Sequence, residues 1–551
     1  MAAPAGSGPT RLDVVASWAL PLVIGATAWA GVYPPMGDLP MHESIAALLV
    51  HHGDPSWAPP GLYVLSLAHP QQLAQLCIAA AMMVLPTALA AKLVVSLSVA
   101  ATVGATARLL RHLGKGPWAA AVVAPIVLGW LYHWGFLANL AGLALFAFVT
   151  VALDRLAEAP TPRRSIEVGV LVWIAFFAHA TAALSAIVTL WVLVLVRRRR
   201  VVLALSPTVV FAIALVVERH REHLAPTALA QAFASRTLWH SPLAKLRQLP
   251  AFIAGRYDWP IRLAVLAAVV AALVALAHRR VRTEHSSGQG KLVDHRFALV
   301  AGVLLALFFV TPYSINYGAF LYVRFLGPAW ICLIAWLAPA RPSVATRAAP
   351  AACLVAAIVA LAPEIARASE HHRMLSSLYP RIAQGSAVAV VTYGKAPRSA
   401  FNPATAGQRV LAERGGRALF SFAEYPTSPV TIPPEKRWDA LAVRVYGQPG
   451  DLVPQTDLDA IRYVLAWVPD AGLWPLLEAG FFPDARLVAR SGEWLLFEST
   501  HAVRPIDAPL PPERANAETI QSRVHAAVRS RAAAPSATPP SASERIAEPA
   551  P

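Results

Sequence analysis

Three ionisable residues within six positions, Asp38, His42 and Glu43, follow at once on the first long apolar segment of the chain. Ionisable groups at the mouth of such a segment are costly unless they are paired or take part in chemistry. The chemistry open to them is proton transfer: a carboxylate or imidazole within about 3 Å of a hydroxyl or amine takes its proton as general base. His42 lies four residues beyond Asp38, so a helix beginning there puts both on one face. The same residues also suit local structure, since Asp38, after Gly37 and before Leu39-Pro40, is a good turn and helix-capping residue with Glu43 in the helix that follows.

The elements that must position these groups are membrane helices. The chain is 56% hydrophobic and only 14% charged, with a mean hydropathy of +0.51, which fits a polytopic membrane protein and not a large soluble one. Its apolar blocks have roughly the 20 residues needed to cross about 30 Å of hydrocarbon. A signal peptide at 13–32 fits poorly, because Tyr33-Pro34-Pro35 stands where a small-residue cleavage site belongs. The net charge of +16 points to loops on one side of a membrane, not to nucleic acid. Cys77, Cys332 and Cys353 all sit in apolar runs, as small hydrophobes do.

Reading spans in order, 13–32 is the first, after a cytoplasmic tail at 1–12. The loop 33–87 has no Lys or Arg and belongs on the outer side, with two interfacial helices at 42–52 and 71–85. Were 71–85 a span, Arg108, Arg111 and Lys115 would fall outside. Spans follow at 88–110, 117–133 and 136–153, then two short ones across 165–196 turning near His179, one ending near Val217, and four at 261–278, 297–311, 321–338 and 347–362. About eleven spans from an inner N-terminus place the C-terminal part outside. From Pro363 the composition changes to a polar helix as far as Arg381. Strand-like runs follow at 387–392, 418–422, 463–467, 485–489 and 494–497, interleaved with helical stretches at 406–414 and 473–479. The expected fold is therefore a polytopic α-helical membrane domain, 13–362, carrying a small α/β domain, 363–505, on the outer side. The Pro/Ala-rich remainder, 506–551, is expected to be disordered.

On these residues the chain resembles the GT-C superfamily of membrane glycosyltransferases. Protein O-mannosyltransferases and aminoarabinose transferases carry Asp-Glu-x-x-Tyr-x-x-x-Ala in the first external loop. Asp38-Leu39-Pro40-Met41-His42-Glu43-Ser44-Ile45-Ala46 has that spacing, with Leu39 for the second acid and His42 for the Tyr. The chain is also similar to a group of bacterial membrane proteins with an Asp-Leu-Pro-x-His motif, a Gly-Phe-Leu-Asn-like turn (here Gly135 to Asn139) and Arg324-Phe325-Leu326. The resemblance covers roughly residues 13–500. It implies an inverting transferase of the bacterial inner membrane that moves a sugar from a polyprenyl-phosphate carrier to an envelope glycan, lipid or protein. Asp38 would be the base, with His42 and Glu43 as helpers.

A leaving phosphate needs cations, and Arg's planar fork suits its oxygens. Arg324, at the start of a span, is the strongest single candidate, beside Arg219, Arg221 and Arg256 of the long outer loop; Arg236, Lys245 and Arg247 also lie there. For that loop as a group, contact with anionic lipid headgroups is the competing role. His179 and His133 at outer turns are candidates to hydrogen-bond substrate, and Asn139 and Asn316 to bind sugar hydroxyls. No metal-ligand pattern emerges: His371 and His372 are adjacent on a helix and face apart, and Glu364 and Glu370 complete no zinc set, so a divalent cation is not indicated. Two other classes remain open. A transporter or flippase of lipid-linked or anionic solutes is expected to carry charges inside its spans. A non-catalytic envelope-assembly protein of the same fold is compatible with Leu39 in place of the second acid.

Overall fold

The computed structural model describes residues 10–197, 202–224, 237–287, 295–315, 319–394, 401–419, 421–425, 427–438, 441–442, 445, 451–508 and 518–533. Thr10 opens α1 (Arg11–Ala26) with a capping box: its hydroxyl accepts from the Asp13 amide and the Asp13 carboxylate accepts from the Thr10 amide. Two short helices follow, α2 (Leu39–Val50) and α3 (Leu73–Met82), both too short to cross a bilayer. The first loop thus holds the pair of helices its periodicity predicts.

Among the described residues, six helical stretches are long and apolar enough to span: Arg11–Trp29, α4 (Thr87–His112), α7 (Leu137–Glu158), α9 (Ala180–Arg197), α12 (Trp259–Ser287) over Trp259–Arg280, and Val344–Arg381. Between them lie α8 (Pro162–Ala178), α10 (Val202–Leu224), α11 (Pro242–Ala254), α13 (Arg296–Val310) and α14 (Leu326–Leu337). Trp18, Leu22, Met83 and Val84 are each at least 70% exposed, a liability in water but ordinary against lipid.

The segment 117–133, expected as one span, is broken. A 3₁₀ stretch (Pro117–Val123) gives way to α5 (Ala124–Leu128) and then, across Gly129, to α6 (Trp130–Trp134). Pro125 removes a backbone donor, and a Cβ at Gly129 would collide with the Pro125 carbonyl, so the chain kinks here. A second difference lies at Pro363, expected to separate the last span from a polar helix. One helix, α15 (Val344–Leu378), runs through both for 35 residues, about 50 Å, and carries the chain out of the membrane domain.

The C-terminal part forms a five-stranded mixed sheet in the order β3-β2-β5-β7-β6: β2 is Ala387–Thr392, β3 Arg417–Ala418, β5 Tyr463–Trp467, β6 Ala485–Ser491 and β7 Trp494–Ser499. β2 is parallel to β3 and β5, and its continuous apolar run suits a strand covered on both faces. The first loop belongs to the same unit. Its β1 (Val64–Leu65) pairs antiparallel with β4 (Val430–Thr431), and Met41, Ile45, Leu48 and Leu62 enter the core of the α/β domain. Its far edge is tied to α10, where His69 Nδ1 meets Glu218 at 2.8 Å and Arg221 donates to the Leu67 and Ala68 carbonyls.

The tail expected to be disordered contains α16 (Ile520–Ala533) among its described residues. Ile520 is fully buried, its amide donates to the Leu452 carbonyl, and Arg523 pairs with Asp484 at 2.7 Å. Weak apolar periodicity hid this helix, because only a few of its side chains meet the domain.

Candidate functional site

Asp38 and the turn after α6 are built as one unit. Gly37 donates its amide to the His133 carbonyl (2.9 Å) and Asp38 its amide to the Trp134 carbonyl (3.0 Å). Gly135 ends α6 at φ +79°, and a Cβ there would collide with the Asp38 amide nitrogen. Only glycine allows both the left-handed turn and this approach. From the other side, Thr405 of the α/β domain donates its hydroxyl to the Gly37 carbonyl at 2.5 Å.

Asp38 stands at the N-cap position of α2, yet its carboxylate makes no capping hydrogen bond. Among the described residues that carboxylate has neither hydrogen bond nor ion pair, and burial pushes it up to about 7. It faces a cavity of about 340 Å³, within the ~300–1,000 Å³ range of small-molecule sites. The lining also includes His42, Asn139, His179 and Arg324, so five of the sequence candidates, far apart in the chain, meet in one space. Trp134, Phe136 and Phe320 supply its aromatic wall, and Asn402, Thr405, Phe422, Tyr425, Thr427 and Ser428 of the α/β domain roof it.

Arg324 is held by its guanidinium. One terminal nitrogen meets His179 Nε2 at 3.0 Å, the other donates to the Ala319 carbonyl at 3.1 Å, and Nε has no acceptor. Arginine only donates, so His179 Nε2 accepts, while Nδ1 lies against the Thr181 hydroxyl at 2.7 Å and the Thr181 amide nitrogen at 3.3 Å. His179 therefore positions Arg324 from the break between α8 and α9. His42 lies edge-on to Phe422, with ring centroids 5.2 Å apart; its Nδ1 is unpartnered, and burial lowers it to about 4, so the ring is neutral at neutral pH.

The remaining sequence candidates lie elsewhere. Glu43 is fully buried and turned away from the cavity: its Oε2 meets Arg409 Nε at 2.9 Å and accepts from the Tyr33 hydroxyl at 2.6 Å. Arg409 also pairs with Glu413 at 2.8 Å, and Tyr33 stacks on His372 with ring centroids 4.6 Å apart. Glu43 thus locks the first loop to the α/β domain. Arg221 is bound to backbone carbonyls of the first loop, as described. Arg256 lays its guanidinium over the Trp134 ring, 5.3 Å from its centroid, and Arg219 is exposed on α10; none of the three lines the cavity. Lys245 caps α13 through the Phe308, Phe309 and Thr311 carbonyls, and Arg236 and Asn316 fall outside the described residues. Leu39, at the position of the second acid, is fully buried in the apolar core. Among the described residues no group of three or more His, Cys, Asp or Glu side chains is placed to hold a metal ion.

Sequence reasoning missed the roof residues and Gln71 and Gln75 of the first loop. Gln75 was findable, as an amide inside an otherwise apolar helix; the roof residues carry no local signal. At the opposite end of α7, fifteen residues or about 22 Å from Asn139, Asp154 joins His112, Arg197 and Arg296 at 2.9–3.2 Å.

No protein-family profile and no curated protein matches the chain. Solved structures do. The crystal structures of ArnT from Cupriavidus metallidurans, bound to undecaprenyl phosphate and in the apo state, each align with a TM-score of 0.53 at 11% identity over 90% of this chain and 98% and 99% of theirs. The chain therefore shares the fold of that protein along nearly its whole length.

Proposed function

We propose that the chain is an inverting glycosyltransferase of the bacterial inner membrane, taking a sugar from a polyprenyl-phosphate carrier to an envelope acceptor. The observation that carries this reading is the meeting of an unpaired carboxylate, Asp38, and a pre-aimed guanidinium, Arg324, in one cavity between the helical bundle and the α/β domain. Asp38 takes the proton of the acceptor hydroxyl or amine as its oxygen or nitrogen attacks the anomeric carbon. The bond from that carbon to the phosphate oxygen breaks with its electron pair on the oxygen, and the carrier leaves as polyprenyl phosphate. Arg324 Nε–H and the terminal N–H groups stabilise the charge that develops there. Neutral His42 adds a hydrogen-bonding edge beside the base. The bound carrier in a structure of the same fold supports the choice of donor.

Charge supports the orientation in this reading: the basic residues Arg197 and Arg296 around Asp154 favour a cytoplasmic end there, and the absence of Lys and Arg from the loop 33–87 favours an outer position for it and for the α/β domain packed on it. About eleven passes are consistent with both. The test uses the purified full chain in proteoliposomes with radiolabelled sugar on polyprenyl phosphate and an envelope extract as acceptor. Transfer into the extract that Asp38→Asn abolishes is expected. Movement of the label across the bilayer without covalent transfer would instead establish a flippase.

A further inference from the structure

Three polar side chains of the cavity lining are buried to more than nine-tenths, Gln75 (6% exposed), Asn139 (7%) and Ser428 (5%), and the buried Ser428 hydroxyl has no hydrogen-bond partner among the described residues. They come from α3, from the first turn of α7 and from the α/β domain, so no single element explains their convergence. Buried polar groups are ordinarily satisfied within the protein, and one left open is costly. The open Ser428 hydroxyl, with two amides beside it in the same lining, marks what the ligand must offer. Amides and a hydroxyl both donate and accept, and the partners that match such a set are hydroxyls, which do the same. Phe422, Tyr425 and Trp134 add flat apolar walls suited to the C–H faces of a ring.

The charged groups of the cavity have other tasks. Under the transferase reading, on which this inference rests, Arg324 faces the phosphate and Asp38 the acceptor proton. The amides and Ser428 are what remains for the sugar. With Asp38 and Arg324 so engaged, the described lining has no further charged side chain to neutralise an ammonium or carboxylate substituent, whereas amides and a hydroxyl match neutral hydroxyls. We propose that Gln75, Asn139 and Ser428 form the sugar subsite and that the transferred sugar is an uncharged, polyhydroxylated ring.

The test presents the full chain in proteoliposomes with four synthetic polyprenyl-phosphate donors in competition, carrying a neutral hexose, a neutral pentose, an amino pentose and a uronic acid. A neutral donor is expected to show kcat/KM roughly tenfold or more above both charged ones. Asn139→Ala should raise the KM for that donor about tenfold with a smaller change in kcat, as lost ground-state contacts do. The near-isosteric Gln75→Glu should shift relative use toward the amino sugar, a gain that mere damage to the fold does not produce. Preference of the unsubstituted chain for the amino or uronic donor, with transfer still abolished by Asp38→Asn, overturns the subsite and leaves the transferase standing. Absence of transfer from every donor overturns both.

Discussion

Replacing Asp38 by Asn should inactivate the chain and, above neutral pH, make it more stable. The carboxylate lacks any hydrogen bond or ion pair among the described residues, and burial raises it to about 7 from an ordinary value near 3.8. The folded state therefore keeps its proton to higher pH than the unfolded state, and stability falls as pH rises between about 4 and 7. Fully expressed at pH 8, the penalty is at most about 4 kcal/mol, an upper bound because the group is half-buried and open to the cavity. Asn keeps the shape without the charge. The variant should unfold at higher denaturant or temperature than the parent at pH 8 and match it at pH 4. Transfer should fall by about 10²–10⁴, the usual contribution of a general base. In the parent, transfer should rise with pH around a midpoint near 7. The assays are rate–pH profiles from pH 5 to 9 and unfolding midpoints at pH 4 and 8 in one detergent. Retention of a tenth or more of the rate by Asp38→Asn, or a rate midpoint near 4, would refute the reasoning.

Other substitutions separate binding, docking and positioning. Arg324→Ala should weaken inhibition by free polyprenyl phosphate by about 10- to 100-fold, the worth of a charge-assisted hydrogen bond, and Arg324→Lys should recover only part of it because the fork is lost; unchanged inhibition constants would argue against a phosphate role. Glu43→Gln leaves Arg409, 3% exposed, without its buried partner and should cost about 3–5 kcal/mol of stability, seen as faster proteolysis between the first loop and the α/β domain, while the donor KM of the folded fraction stays within twofold. Gly135→Ala forces a Cβ into a left-handed turn against the Asp38 backbone, a strain of about 1–2 kcal/mol; transfer should drop at least tenfold, with donor binding by the carrier phosphate retained.

Much of the architecture was legible because it is written at short range. The length and purity of apolar blocks marked the six helices that, among the described residues, are long and apolar enough to span, against about eleven spans expected; the break at His179, the two first-loop helices and strands β2 and β5 followed from local pattern alone. Where local rules misled, a neighbour outweighed them. Pro363 did not end α15, because the helix is held beyond it, where Ser369 accepts from the Val32 and Tyr33 amides. Ile520 nucleates an ordered contact in a segment whose composition reads as disordered. The sequence by itself determined that a membrane protein places Asp38 and His42 just beyond its first span, since hydrophobic length and helical spacing are local properties. Which cation shares a cavity with that carboxylate was decided only by tertiary structure. Arg324 lines the cavity whereas Arg221 and Arg256 are held by backbone carbonyls and an indole, and Glu43 became a docking residue because Arg409, more than 360 positions away, reaches it. A side chain's role depends on the partner that desolvates or neutralises it, and long-range packing alone selects that partner.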